Sequence, residues 1–167
     1  MFGIGDTILY GTQGACRIDA IEEKKICGKV SSYYVLTPLD GTRCTIYAPI
    51  DSKTIEGKMH RLLSAAEIEA IIESMKNEEV VWIESESARK ERYKQILAGN
   101  DRVEIMKMIR ALYLHKQELK SRGKKLHVSD ERFFKDAEKV LYNEFAVVLD
   151  IKPNEVISFI TDKLGKE

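Results

Sequence analysis

Met1-Phe-Gly-Ile-Gly-Asp-Thr-Ile-Leu-Tyr-Gly-Thr-Gln-Gly-Ala-Cys-Arg-Ile-Asp-Ala-Ile-Glu22 opens the chain with two short apolar runs, Ile8-Leu9-Tyr10 and Cys16 to Ile21, parted by Gly11-Thr-Gln-Gly14. Apolar runs of this length around a glycine-punctuated turn predict two strands, over 5–10 and 15–23. Ser31 to Thr37, rich in aromatic and β-branched residues, predicts a third strand, and Pro38-Leu-Asp-Gly41 a turn after it. Lys24-Lys25-Ile-Cys-Gly28 reads as the charged connection between the second and third strands. Cys44 to Ala48 ends at Pro49 as a fourth strand, and Met59 to Leu63 adds a fifth. Strands so short and so many within about 60 residues suit a small, strongly bent sheet or half-open barrel.

After Leu62 the period changes. Ser64-Ala-Ala-Glu67 is a capping box ahead of Ile68, Ile71, Ile72 and Met75. A second helix is expected over 80–98, or as two pieces broken near Ser85–Ser87, with a left-handed stop at Gly99-Asn100. Asp101-Arg-Val-Glu104 reads as another capping box, opening a helix to about Arg122 that Gly123 ends. Ser129 is expected to cap the next helix, and Pro153 to begin a last short one. The expected fold class is α+β: a small β half-barrel over 1–62 followed by an all-α helical bundle over 63–167.

The 167 residues carry no net charge, yet the charge is polarised. Residues 89–139 hold 15 basic and 8 acidic side chains, whereas 64–86 hold 1 and 7. No apolar run approaches the ~18 residues of a membrane span and no secretory leader is visible, so a cytoplasmic protein is expected. Cys16, Cys27 and Cys44 lack metal or disulfide spacing and read as small apolar fillers of the β module. His60, His115 and His127 stand apart, and Gly3 and Gly5 precede a strand rather than follow one. Neither a metal site, a cofactor loop nor a catalytic constellation is therefore expected.

Binding is the better reading. Arg89, Lys90, Arg92 and Lys94 fall within two helical turns around Tyr93, and Lys107 and Arg110 follow at helical spacing. Lys120, Arg122, Lys124 and Lys125 crowd the end of that helix and the loop before Ser129, a junction suited to seat a phosphate. Such cations suit phosphates, with backbone and shape recognition in place of base reading. They also suit an acidic protein partner, or solvated pairs with Glu91, Glu104 and Glu118. Trp82, flanked by Val80, Val81 and Ile83, reads either as a core anchor or as an apolar wedge between base steps. A Tudor-like reader would need an aromatic cage from Tyr10, Tyr33, Tyr34 and Tyr47, but strand alternation sends Tyr33 and Tyr34 to opposite faces. An unpaired sheet edge leaves the oligomeric state open.

Phe2-x-x-Gly5-Asp6-Thr7-Ile8-Leu9-Tyr10, Gly14, Ile18-x-x-Ile21-Glu22, Tyr33-Tyr34-Val35-Leu36 and Pro49 together resemble the polymerase-interacting domain of the CarD/CdnL family, a module similar to one in the transcription-repair coupling factor. Arg89-Lys-Glu-Arg92-Tyr93-Lys94, Ala98-Gly99-Asn-Asp101, Ile109-Arg110-x-Leu112-Tyr113, Ser129-Asp130-Glu131-Arg132 and Ala137-Glu138-x-Val140-Leu141-x-x-Glu144-Phe145 extend the resemblance over the helical half. It implies a bacterial transcription regulator whose Tudor-like module docks on the RNA polymerase β subunit. Its helical domain would then hold promoter DNA, without base-specific readout, to stabilise the open complex. The polymerase contacts it implies fall on Lys24, Arg43 and Tyr47, of which Tyr47 lacks the family's charge. The DNA contacts fall on Arg89, Lys90, Arg92, Lys94, Arg110, Lys124, Lys125 and Trp82. Aligned on Tyr93, the family's wedge tryptophan corresponds to Arg89. Either Trp82 wedges from two turns upstream, or it is core while Arg89 and Arg92 face DNA, the arrangement favoured here.

Overall fold

Gly14 marks where the two halves of the molecule meet. In the computed structural model, which describes residues 2–165, it lies at φ 80°, and a Cβ there would sit 3.2 Å from the amide nitrogen of Asn143. Left-handed backbone and close approach both require glycine at this position. It ends a single 3-10 turn, Gly11–Gln13, joining β1 (Thr7–Tyr10) to β2 (Ala15–Ile26). With β3 (Lys29–Pro38), β4 (Ile46–Pro49) and β5 (Met59–Arg61) these form an antiparallel sheet in the order β4-β3-β2-β1-β5. The fold is α+β, the sheet being followed by helices.

Alternation sorts the strand residues. Ile8, Cys16, Ile18, Tyr34, Leu36, Ala48 and Met59 fill one core. Leu9 and Ala15, neighbours of Ile8 and Cys16, are also buried, on the opposite face. A bulge between Ile18 and Ala20 keeps the pleat in step, and there Asp19 accepts hydrogen bonds from Arg17 and Thr37. The β2–β3 hairpin is longer than expected. Its turn is Cys27-Gly28, with φ 51° and 78°, so both residues take the left-handed form of the tight hairpin turns. Lys24 and Lys25 therefore stand in the strand, paired with Ser31 and Val30, rather than in a connection. The expectation for cysteine holds at Cys16 alone, because Cys27 sits in the turn and Cys44 in a loop, both exposed.

Among the described residues six α-helices follow or flank the sheet: α1 (Lys53–Lys58), α2 (Ala65–Ser74), α3 (Glu86–Gly99), α4 (Arg102–Ser121), α5 (Val128–Leu149) and α6 (Val156–Leu164). The short α1, capped by the Ser52 hydroxyl, lies within the β half and was not anticipated. The Ser64–Glu67 box makes both of its hydrogen bonds. The helix expected over 80–98 begins instead at Glu86, and residues 78–85 form neither helix nor strand. Val80 and Val81 are β-branched, and the Ser85 hydroxyl accepts the Ala88 N–H as the helix cap. Asp101 caps α4, but Glu104 turns away to Arg92 and Lys107, so no reciprocal box forms. The cap of α5 is His127, whose Nδ1 accepts the Ser129 N–H, rather than Ser129 itself.

Ile68, Ile72, Met75, Ile105, Leu112, Leu141, Phe145 and Val156 build the second core. The β elements end at Arg61 and α2 begins at Ala65. Between them the chain is clamped. Glu144, 1% exposed, accepts the Leu63 N–H at 3.1 Å and two hydrogen bonds from Arg102, which also donates to the Arg61 carbonyl. Lys139 reaches Asp40 at 3.5 Å across the same junction.

Candidate functional site

The basic run of α3 does not present all of its charge. Arg89 points inward, 6% exposed, and grips Asp130, itself 2% exposed. Its Nε and Nη2 each donate to one carboxylate oxygen at 2.8 Å, while Nη1 donates to the Ile83 carbonyl at 2.9 Å. A planar fork matched to a carboxylate explains why arginine stands here. The expectation that Arg89 faces DNA is thus corrected: its partner, 41 residues away, takes it into the interior. Burial beside this pair pushes the Tyr93 hydroxyl up to about 12.

Trp82 is half-buried against the helical core, outside any helix. Its ring stacks on His115 with centroids 3.7 Å apart and planes 12° apart, and the Arg89 guanidinium carbon lies 4.6 Å from the indole centroid. The tryptophan is held in place rather than projecting as a wedge, and Arg89 and His115 account for its position.

The remaining cations divide. Lys90 pairs with Glu86 at 3.0 Å and Arg92 with Glu104 at 3.1 Å. Arg110 is half-buried and donates to the Met75 carbonyl. Lys94, Lys124 and Lys125 are exposed. The last two line a cleft of about 800 Å³ where α4 turns into α5, together with Lys116, Lys120, Arg132 and Lys135 and two acids, Glu131 and Asp136. Lys116 reaches Glu131 at 3.4 Å. Among the described residues, the other five cations have no carboxylate within 4.0 Å. A concave wall of uncompensated cations raises the local concentration of anions. Lys120, Lys124 and Lys125 belong to the run expected to seat phosphate ahead of Ser129, and the fold adds Lys116, Arg132 and Lys135, which sequence reasoning missed. The signal was present in the i, i+4 spacing of Lys116 and Lys120 and the i, i+3 spacing of Arg132 and Lys135, which puts each pair on one helix face.

The β module brings Lys24 and Tyr47 together, with the Lys24 ammonium 3.5 Å above the ring centroid. Register places them on one face, since Lys24 faces Ser31 and Tyr47 faces Val35. Arg43 is exposed in the loop before β4. Toward the hairpin tip Ile21, Ile26 and Val30 are 46%, 51% and 58% exposed. β1 pairs with Ala15–Arg17 and β4 with Tyr33–Leu36, so the outer length of the hairpin has no further strand beside it among the described residues. Tyr34, the reverse of Tyr33, is buried and donates its hydroxyl to the Phe2 carbonyl.

Among the described residues no group of three or more His, Cys, Asp or Glu side chains is placed to hold a metal ion. Among the described residues no helix is long and apolar enough to cross a membrane. Residues 2–62 match the CarD-like/TRCF RID domain, and residues 70–161 match the CarD C-terminal domain. The chain is also 28% identical to the transcription-factor candidate YdeB of Bacillus subtilis (strain 168), over 95% of this chain and 99% of that protein.

Proposed function

The chain belongs to the CarD family of transcription regulators, and from that premise we propose that it docks on the RNA polymerase β subunit and holds promoter DNA in the open complex. The observation that carries the DNA half is the cleft between α4 and α5, where Lys120, Lys124, Lys125, Arg132 and Lys135 stand without carboxylates within 4.0 Å among the described residues. Phosphates satisfy such a wall whatever the base sequence. Lys90, Arg92 and Lys94 on α3 extend the grip, the first two by exchanging surface carboxylates for phosphates, an exchange with a small energetic difference. Arg89, Trp82 and Arg110 act from behind, by fixing the elements that carry the exposed cations.

The β half is a binding surface of another kind. The open hairpin edge offers main-chain N–H and C=O groups to a partner strand. Lys24, Arg43 and Tyr47 supply charge and an aromatic ring beside it, and Ile21, Ile26 and Val30 supply apolar area. The protein acts where polymerase and DNA meet in the cytoplasm, in association with the nucleoid.

Purified polymerase, a promoter fragment and the full chain provide the test. The chain should co-elute with polymerase through the β subunit and lengthen the lifetime of the open complex. Lys124→Glu with Lys125→Glu should abolish the lengthening and keep the co-elution. An unchanged lifetime with the unsubstituted chain sinks the reading. An acidic protein as the partner of the cleft would instead leave forked promoter DNA unshifted by the chain alone, and the shift made by polymerase unaltered when the chain is added.

A further inference from the structure

A second concave surface lies between the halves, with a volume of about 640 Å³. Its wall comes from both: Thr12 and Gln13 of the Gly11–Gln13 turn, Thr54 and Lys58 of α1, His60 of β5, and Lys94 of α3. Leu97 and Phe133 form an apolar floor, and no aspartate or glutamate lines it. Lys58 and Lys94 are exposed, and among the described residues neither has a carboxylate within 4.0 Å. The Nε2 of His60 lies 2.9 Å from the Gly57 carbonyl, so that edge of its ring is already taken.

Two ammonium groups from different halves, hydroxyl and amide donors between them, and an apolar floor make a site for an anion carried on an apolar body. A phosphodiester with its sugar has that composition. A metal ion would find no acidic ligands, and a cationic group would be repelled. Arg102 and Glu144 tie the halves together at 2.7 Å, and the cleft beside that junction has both lysines in its wall.

We propose that this cleft seats a backbone phosphate of the promoter duplex between Lys58 and Lys94, so that the β module grips DNA directly as well as docking on polymerase. The inference rests on the proposed DNA-binding function and adds to it a contact in the half otherwise assigned to protein. A phosphate bridging the halves would make tight DNA binding depend on the junction between them.

The experiment is the affinity of the full chain for a short labelled duplex across a salt series, with Lys58→Gln, Lys94→Gln and the double variant. Both lysines are exposed, so unchanged circular dichroism and melting are expected. Lys58→Gln should weaken binding several-fold at low salt and flatten the log–log salt dependence by about 0.9, the value for one phosphate on duplex DNA. The two substitutions should be non-additive, because they share one ligand. Inorganic phosphate at matched ionic strength should displace DNA no better than chloride does.

Unchanged affinity and slope for Lys58→Gln overturn the proposal. If Lys124→Glu with Lys125→Glu still abolishes binding in that case, the proposed function stands without it. If the unsubstituted chain binds no duplex and prolongs no open complex, both fall. Loss of polymerase capture by Lys58→Gln in the absence of DNA would make the contact a protein one, and strong displacement by inorganic phosphate would make it a free-anion site. Either result replaces the inference.

Discussion

Arg89 and Asp130 meet inside the helical half as a two-pronged pair, Nε to Oδ1 and Nη2 to Oδ2, each at 2.8 Å. The pair ties the start of α3 to the first turn of α5, and the third guanidinium nitrogen holds the segment before α3 through Ile83. Removing the arginine leaves a carboxylate buried without its partner, a change that costs about 3–5 kcal/mol in comparable cases. Arg89→Ala should therefore lower stability by about that amount in urea denaturation, and Arg89→Lys by less, since an ammonium keeps the charge and loses the fork. Under conditions where the variants remain folded, the salt dependence of DNA binding should not change. A variant as stable as the original but unable to bind DNA would return Arg89 to the surface set.

Glu144 plays the corresponding role between the halves. It takes the Leu63 N–H and two Arg102 hydrogen bonds, one of which is 2.7 Å long. An amide in its place would set an NH2 group against one of these donors. Glu144→Gln should cost about 3 kcal/mol and loosen the junction more than either core. Calorimetry should then show the single transition dividing into two, with the β half and the helical half melting apart. One sharp transition lowered as a whole would mean that the clamp serves overall stability rather than the coupling of the halves.

On the outer face of the sheet, Lys24 lies over Tyr47 at 3.5 Å. Contacts of this kind contribute about 0.5–1 kcal/mol at exposed sites, so Tyr47→Ala should lower the melting point slightly. Lys24→Glu should have a larger effect on association, because it reverses charge beside the open hairpin edge. Capture of polymerase on immobilised protein should fall sharply for both variants, while duplex affinity measured without polymerase stays as it was. Equal loss of both activities would show that the two halves do not divide the work.

Strands were legible as short apolar runs, and the glycines at 11 and 14 punctuate the turn. Ile18 alternates with exposed Arg17 and Asp19, whereas Ile8, Cys16 and Leu36 have buried neighbours in Leu9, Ala15 and Val35, because both faces of the sheet are covered there. The Ser64–Glu67 box was equally plain, since capping is local. Residues 78–85 misled because Trp82 among valines looks like a buried helix face, although the β-branched pair and Ser85 argued otherwise. The site was less legible for a geometric reason. Arg89 sits in a run of exposed cations, and its partner lies 41 residues along the chain. Lys120 and Lys135 lie on different helices, and Lys58 and Lys94 in different halves, so shared clefts appear once the chain is folded.

Acid should weaken the junction at Glu67. Hydrogen bonds from Arg61, at 3.0 and 2.7 Å, and from the Ser64 N–H hold its carboxyl at about 2, against an ordinary 4.5. The folded state thus releases this proton more readily than the unfolded chain does. Its contribution to stability is present above about 4.5 and is lost as the pH falls toward about 2. The residue caps α2 and reaches back to the last residue of β5, so protonation frees both at once. Urea midpoints followed across that window should drop more steeply for the unsubstituted chain than for Glu67→Gln, with the two curves converging at the acid end. Parallel curves would show that the Arg61 hydrogen bonds carry no linkage, and that the capping hydroxyl of Ser64 alone sets the start of α2.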